Sequence, residues 1–139
     1  MKTIAHDEKR YMIRLDAGEE LFSSLISFAE DSGIRSASFT AIGTAQEVIL
    51  SWYNLAKKQY EDTAIADNLE ILGITGNLGL LDGKPIIHAH GTFGDRGLSA
   101  KGGHIKKLVV LATCEVSLIR SEGAFERKPD EATGLNLLI

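Results

Sequence analysis

The chain has 139 residues, a formal net charge of −4 and 44% apolar residues, which are ordinary values for one soluble globular domain. Its single cysteine, Cys114, excludes an intramolecular disulfide and a cysteine-rich zinc module. No apolar run is long enough to span a membrane, and the first ten residues lack the apolar core of a signal peptide. We therefore predict a single domain over 1–139 in the cytoplasm, with an acidic balance that disfavours general nucleic-acid binding.

The first predicted elements are a strand over Arg10–Leu15 and a helix over 17–32. Asp16, followed three residues later by Glu19, resembles a capping box at the helix start. Gly33 is typical of the residue that follows a helix end. The apolar face of this helix is formed by side chains at helical spacing, namely Leu21, Phe22, Leu25, Ile26 and Ala29.

The rest of the chain is rich in strand-forming residues and short turns. Asp82-Gly83 predicts a two-residue hairpin turn, and Gly94 to Gly97 predicts a second turn. The mixed-charge segment Arg120–Glu131 is predicted to be a surface loop. The predicted strands after the helix are 36–42, 47–53, 59–63, 69–75, 77–81, 85–93, 109–119 and 135–139.

These elements predict an α+β fold with an antiparallel-rich sheet of about seven strands flanked by helices. One secure helix covers only one face of a sheet of this size. We therefore expect another copy of the chain to cover the remaining surface, which makes an oligomer the expected state.

Three of the four histidines lie in two short segments, His88-Ala89-His90 and Gly102-Gly103-His104. Residues two apart on a strand share a face and lie roughly 6–7 Å apart at the backbone, so His88 and His90 could converge on one ion. His104 is the candidate third ligand, since the preceding glycines allow a close backbone approach. Three imidazoles suit Zn²⁺ with a fourth position open, although imidazole also binds Ni, Cu and Fe. The alternative is that these histidines are polar residues on a solvated or interface face.

Glu115 lies on a predicted strand opposite an apolar face that includes Cys114. Glu115 could orient an imidazole or act as a base on metal-bound water, and the alternative is an exposed or cross-strand charge. Cys114 is predicted to be buried and inert.

Two further patterns have a structural and a functional interpretation. The spacing Gly73-x-x-Gly76-x-x-Gly79 lacks the features of a phosphate-binding loop and indicates bulges or close backbone contacts. Several cations near His104 could attract an anionic ligand or could simply be solvated. These cations are Arg96, Lys101, Lys106 and Lys107.

The order of these motifs resembles the PPC (plants and prokaryotes conserved) domain family over about residues 8–138. Asn68, where the family often has glycine, is a departure. The similar segments are Gly18–Leu25, Phe39–Gly43, Asn68–Leu78, Pro85–Phe93, Gly102–His104 and Thr113–Val116.

The resemblance implies an antiparallel-rich sheet flanked by helices that assembles as a homotrimer. It also implies a metal site near a subunit boundary, with zinc held by His88, His90 and His104. In plant relatives an AT-hook contacts DNA and this domain serves assembly and partner binding. The present sequence has no AT-hook, so direct DNA binding is not expected.

Three functions follow, in decreasing order of preference. The first is a homotrimeric, metal-binding module for a small anionic ligand or a protein partner, without turnover. The second is a zinc-dependent enzyme in which Glu115 accepts a proton and Lys101 or Arg96 holds an anionic substrate. The third is a DNA-associated regulator, whose affinity would fall steeply with salt.

Overall fold

The computed structural model describes residues 1–139 and contains one helix and nine strands. The helix α1 spans Leu21–Asp31. The strands are β1 (Lys2–His6), β2 (Arg10–Asp16), β3 (Ala37–Asn54), β4 (Gln59–Ile65), β5 (Leu69–Leu81), β6 (Lys84–Gly94), β7 (Ala100–Arg120), β8 (Glu126–Asp130) and β9 (Leu135–Leu138).

The fold is mostly β, so the α+β class with flanking helices is corrected, while the antiparallel-rich sheet is confirmed. Segments that we expected as pairs of short strands are continuous. β3 runs for 18 residues through Gly43, and β5 runs for 13 residues through its three glycines. Register shifts absorb Gly43 and Gly73 as bulges, at Ala41/Gly43 between β3 and β5 and at Ile71/Gly73 between β5 and β6, whereas Gly76 and Gly79 stay in regular pairing.

The helix begins four residues later than the expected residue 17. Gly18 has a φ of +83°, which a right-handed helix cannot contain, and the cap is Glu20, whose carboxylate accepts from Ser23 N at 2.7 Å. Half of the expected capping box is present, because Glu19 Oε2 accepts from Asp16 N at 2.7 Å. Gly33, with a φ of +62°, follows the helix end as expected.

The order along the sheet is β1-β2-β7-β3-β5-β8-β9, and β4 pairs with β3. β6 pairs with both β5 and β7. Since β3 also pairs with β5 and with β7, the four strands β3, β5, β6 and β7 form a closed circuit of pairings. Two long strands, β3 and β7, thereby bring residues from distant parts of the sequence to one end of this circuit.

The C-terminal segment corrects the expected surface loop over Arg120–Glu131. Residues Glu126–Asp130 form β8, which pairs in parallel with β5 and antiparallel with β9. The approach is close at Gly79, where an added Cβ would lie 2.4 Å from the carbonyl oxygen of Phe125. A glycine at this position therefore permits the C-terminal hairpin to dock on the sheet.

The core is a cluster of 25 buried apolar residues between the sheet and α1. The helix contributes Leu21, Leu25 and Ala29, each with no exposed surface, and packs against β6 and β7. The alternate residues of β7 from Leu108 to Leu118, including Cys114, are buried as expected except Ala112, which is exposed, and burial raises the pKa of the Cys114 thiol to about 12. The single helix is too short to cross a membrane.

Candidate metal centre

Strand pairing brings the three histidines of the two segments together. His90 on β6 lies directly opposite His104 on β7, and His88 lies two residues before His90 on the same face. The β6–β7 connection is a hairpin around the turn predicted at Gly94 to Gly97, and its register pairs 94 with 100 and 90 with 104. The ladder of this hairpin thus supplies two adjacent strands for one group of ligands.

The three imidazole rings form a compact group. The Nε2 atoms of His88 and His90 are 3.2 Å apart, and the candidate ligand nitrogens of all three residues lie within 4.8 Å of one another. The ring centroids are separated by 5.1 Å, 5.2 Å and 5.4 Å. Two nitrogens bound to one tetrahedral zinc at about 2.0–2.1 Å would be about 3.4 Å apart, so the closest pair is near that spacing.

The electrostatics of the group favour neutral rings. Desolvation, followed by the proximity of His88 and His90, lowers the pKa of His104 to about 4, and Asp62 opposes this shift. Desolvation also lowers the pKa of His88, with further contributions from the positive charge of Arg127 and from His90. Neutral imidazole is the form that binds metal, so at pH 7 these two rings are ready to act as ligands.

A second, independent observation also indicates that the histidine group suits a metal ion. Nδ1 of His104 is buried and has no hydrogen-bond partner. Unsatisfied buried polar atoms are uncommon in folded proteins and often mark the position of an ion or a water molecule. Three imidazoles without a carboxylate suit zinc and other divalent transition metals better than Mg²⁺ or Ca²⁺.

Strands β3 and β4 hold the ring of His104 from the other side. His104 lies opposite Ser51 in the β3–β7 ladder and stacks on Tyr60, with ring centroids 4.7 Å apart. Ser51 donates to Asp62 Oδ1 at 2.7 Å, and Lys106 pairs with the same carboxylate. The stacking on Tyr60 restricts the orientation of the His104 ring, as the outer contacts of metal-binding histidines commonly do.

A cavity of about 610 Å³ opens beside the histidine group. All three histidines line it, together with Tyr53 and Tyr60 from the β3–β4 hairpin. Its apolar wall comes from Trp52, Ile86, Ile87, Leu135 and Leu137. This volume and this mixture of apolar and polar groups are typical of a site for a small molecule.

Arg127 of β8 is the one guanidinium that lines this cavity, and it is only 8% exposed. It donates from Nη1 to the carbonyl oxygen of Asn136 at 2.9 Å and from Nη2 to Asn77 Oδ1 at 2.7 Å. Its Nε is buried without a hydrogen-bond partner. Desolvation lowers the pKa of this guanidinium from its usual value.

The structure does not bring the other candidate residues to this group. Glu115 is exposed on β7, opposite Arg14 and Ile42, and eleven residues of strand separate it from His104, roughly 30 Å or more at about 3.3 Å per residue. Among the nearby cations, Lys106 and Lys107 pair with carboxylates, and none of the four expected cations lines the cavity.

The sequence reasoning missed Arg127 and Tyr60. Arg127 lies in a run of charged residues, Glu126 to Glu131, whose composition indicates a solvated loop. Tyr60 lies on a predicted strand, but nothing in its neighbourhood marks it as a partner of His104. Only the docking of β8 on β5 and the stacking across β4 and β7 make these residues part of the site.

Comparison with known proteins finds a family model and several solved structures that are similar to this chain. Residues 3–122 match the model of the Plants and Prokaryotes Conserved (PCC) domain. A crystal structure described as a metal-containing protein from Archaeoglobus fulgidus is 35% identical, with a TM-score of 0.89 over 100% of this chain and 99% of that chain. A plant- and prokaryote-conserved (PPC) protein from Pyrococcus horikoshii is 30% identical, with a TM-score of 0.89 over 100% of this chain and 97% of that chain.

A third similar structure, from Ralstonia eutropha, is described as a "putative DNA-binding protein". It is 32% identical, with a TM-score of 0.87 over 92% of this chain and 89% of that chain. No match is found among the curated proteins. The matched residues 3–122 include all three histidines and end before Arg127. The chain therefore belongs to the plants and prokaryotes conserved domain family.

Proposed function

We propose that this protein is a metal-binding module in which His88, His90 and His104 hold one divalent transition metal ion, zinc first among them. The observation that carries the proposal is the convergence of three imidazoles within 4.8 Å. The adjoining cavity of about 610 Å³ provides room for a ligand next to the ion. When bound, the metal would supply a Lewis-acidic position for that ligand.

Two further observations support the metal. The lowered pKa values of His88 and His104 keep protons from competing with a cation at neutral pH. The protein from Archaeoglobus fulgidus that is 35% identical to this chain is described as metal-containing.

The test is elemental analysis of protein purified without an affinity tag and then incubated with zinc. We expect about one metal ion per chain in the wild type and in the control His6→Ala, which removes the histidine outside the group. The double variant His88→Ala/His104→Ala should lose the ion while retaining its far-UV circular dichroism. Equal metal content in the wild type and the double variant would overturn the assignment.

The assembly that we propose is a homotrimer. Large apolar side chains at the surface support association, because burial of their apolar area against another copy would be favourable. Ile42 is 57% exposed, Leu72 56% and Trp52 65%. Sedimentation equilibrium should give a mass three times that of the 15.1 kDa chain, and a monomeric mass at micromolar concentration would contradict the trimer.

A second candidate function is metal-dependent catalysis on a small anionic substrate. The observation in its favour is the cavity that joins the histidine group to a buried arginine. An activity found in the wild type should disappear in His88→Ala while the oligomer persists. An activity that survives this substitution would not belong to the site.

The DNA-binding description of the Ralstonia relative suggests a third function, which ranks last for this chain. The net charge of −4 opposes it, as does the pairing of Lys106 and Lys107 with carboxylates. We expect no saturable binding of a duplex oligonucleotide at low salt, measured by fluorescence anisotropy. Binding that weakens steeply as salt is added would reverse this ranking.

A further inference from the structure

The cavity contains a buried positive charge that no carboxylate of the protein neutralises. Arg127 is 8% exposed and takes part in no ion pair, and none of the residues that line the cavity is acidic. Its two hydrogen bonds go to neutral oxygens, of Asn136 and Asn77. A buried charge without a counter-ion is costly, and an anionic ligand would relieve that cost.

The guanidinium is held beside the histidine group by the sheet itself. Asn77 on β5 lies directly opposite His88 on β6, and directly opposed side chains lie roughly 5 Å apart at Cβ. Since Asn77 accepts from Arg127, the arginine is tied to the strand position next to His88. The positive charge of Arg127 contributes to the lowered pKa of His88 and opposes the desolvation that raises the pKa of Tyr60, which is consistent with this proximity.

The unsatisfied donor is suited to an oxyanion. Nε of Arg127 has no hydrogen-bond partner, and Nη1 and Nη2 each carry a second hydrogen beyond the one already donated. Adjacent N–H groups of a guanidinium form a planar fork that matches the two oxygens of a carboxylate. The guanidinium of Arg127 therefore has donor hydrogens left for the oxygens of a planar anion.

The other residues that line the cavity favour an anion that carries an apolar organic group. Trp52, Ile86, Ile87, Leu135 and Leu137 form an apolar wall around a volume of about 610 Å³. An inorganic phosphate would leave most of this apolar surface without contacts. A small carboxylic acid with an apolar or weakly polar body would contact the wall and the guanidinium together.

We propose that the cavity binds a small organic carboxylate, whose carboxyl group is held by Arg127 and whose body lies on the apolar wall next to the three histidines. This inference deepens the proposed function, on which it rests for the metal, because it names the ligand class and the residue that selects it. Arg127 takes the place of Lys101 and Arg96 as the residue that recognises the anion.

The experiment is isothermal titration calorimetry of the zinc-incubated wild-type protein with isovalerate and with benzoate. Their neutral amides, isovaleramide and benzamide, have nearly the same shape and lack the charge. We expect saturable binding of at least one acid at millimolar concentrations, and at least 10-fold weaker binding of its amide. Inorganic phosphate is titrated in parallel.

The variants distinguish three contributions to binding: the planar hydrogen-bonding geometry of the guanidinium, its positive charge, and nonspecific electrostatic attraction. Arg127→Gln should weaken binding of the acid on the order of 10- to 100-fold, as expected for loss of charge-assisted hydrogen bonds. Arg127→Lys should retain part of the affinity, since it keeps the charge and loses the planar fork. The control Lys101→Met, which removes an exposed cation outside the cavity, should bind as the wild type does.

Three results would overturn the inference: no binding of either acid, equal binding of acid and amide, or unchanged affinity in both Arg127 variants. Binding of phosphate without either organic acid would also overturn it and would identify an inorganic anion site. The comparison of acid with amide uses the wild type alone, so it decides the matter even if a variant fails to fold.

Metal content, measured on the same samples, keeps the two proposals distinguishable. Zinc at about one ion per chain without Arg127-dependent acid binding would refute the carboxylate site and leave the metal centre intact. Arg127-dependent acid binding in protein that takes up no metal would refute the metal centre and leave the carboxylate site intact.

Discussion

Two regions of this molecule differ in how their buried polar groups are satisfied. Around α1 the core consists of apolar side chains, and residues such as Ile13, Leu15 and Leu25 have no exposed surface. The residues that line the cavity include two of the three buried side-chain atoms that lack hydrogen-bond partners, Nδ1 of His104 and Nε of Arg127. The third, Oγ1 of Thr113, lies elsewhere on β7.

The contrast separates a region whose buried groups stabilise the fold from a region that leaves buried polar atoms without partners. Apolar burial stabilises by roughly 25 cal/mol per Å² and requires no particular partner. An unsatisfied polar atom costs about 1–3 kcal/mol unless something outside the chain satisfies it. Burial in the apolar core therefore offsets the destabilisation caused by the unsatisfied polar atoms at the cavity. Ligands that satisfy those atoms should increase the stability of the folded state.

The largest effect that we expect is stabilisation by zinc. Binding to the folded state alone raises the free energy of unfolding by about 4 kcal/mol when free zinc is a thousandfold above its dissociation constant. Thermal unfolding of metal-free protein should therefore move to a clearly higher temperature when zinc is added. The same addition to His90→Ala should give little change, and an equal shift in that variant would contradict the three-histidine centre.

The second-largest effect on stability should come from a substitution that creates a cavity in the apolar core. Leu25→Ala removes a side chain of α1 that has no exposed surface, and such truncations cost about 2–5 kcal/mol. Urea unfolding would measure this loss, while zinc stoichiometry should stay at the wild-type value. If the metal were lost together with the stability, the two regions would not be independent.

Replacement of the buried arginine should have a much smaller effect on stability. Arg127→Met retains the bulk and removes a charge that has no ion-pair partner, at the loss of two hydrogen bonds to neutral oxygens. These contributions oppose each other, so we expect the free energy of unfolding to change by about 1 kcal/mol or less. A loss as large as that of Leu25→Ala would show that Arg127 supports the fold and is not held ready for a ligand.

The smallest expected effect is a pH dependence of the metal-free protein. The pKa of His104 is about 4 in the folded state against an ordinary value of 6.5, so between these values the unfolded chain binds more protons. Stability should therefore fall as the pH decreases from about 6.5 to about 4. The ring is partly exposed, which keeps the effect small.

His104→Gln isolates this contribution from that of the carboxylates. Unfolding by urea at pH 7 and at pH 5 should show a smaller loss in His104→Gln than in the wild type. The control His6→Gln should behave as the wild type. An identical pH dependence in all three proteins would contradict the buried, neutral state of His104.

Much of the candidate metal centre was predictable from the sequence because its parts are local. His-x-His on a strand fixes two side chains on one face. The turn at Gly94 to Gly97 then fixes the register that places His104 opposite His90. The helix start was wrong by four residues because Gly18 and the bridge between Glu20 and Val109 hold the preceding residues in a non-helical turn.

The rest of the cavity depends on contacts that no local pattern specifies. β8 pairs with β5 some 46 residues away, at Leu80 with Glu126, and this pairing alone turns a charged segment into the wall that holds Arg127. Glu115 is an error of another kind, because the sequence placed it close to the histidines. The alternation on β7 predicted its exposed face correctly but carried no information on its distance from the histidines.

The sequence by itself determined the strand-rich composition, the two histidine segments and the hairpin that joins them, because these follow from periodicity and turn chemistry within about fifteen residues. The tertiary structure decided which cation faces the histidines. That choice depends on the docking of the C-terminal hairpin, where Gly79 allows the backbone of Phe125 to approach and Asn77 accepts the guanidinium of Arg127. Long-range packing of this kind brings together residues that no local sequence pattern predicts to be in contact.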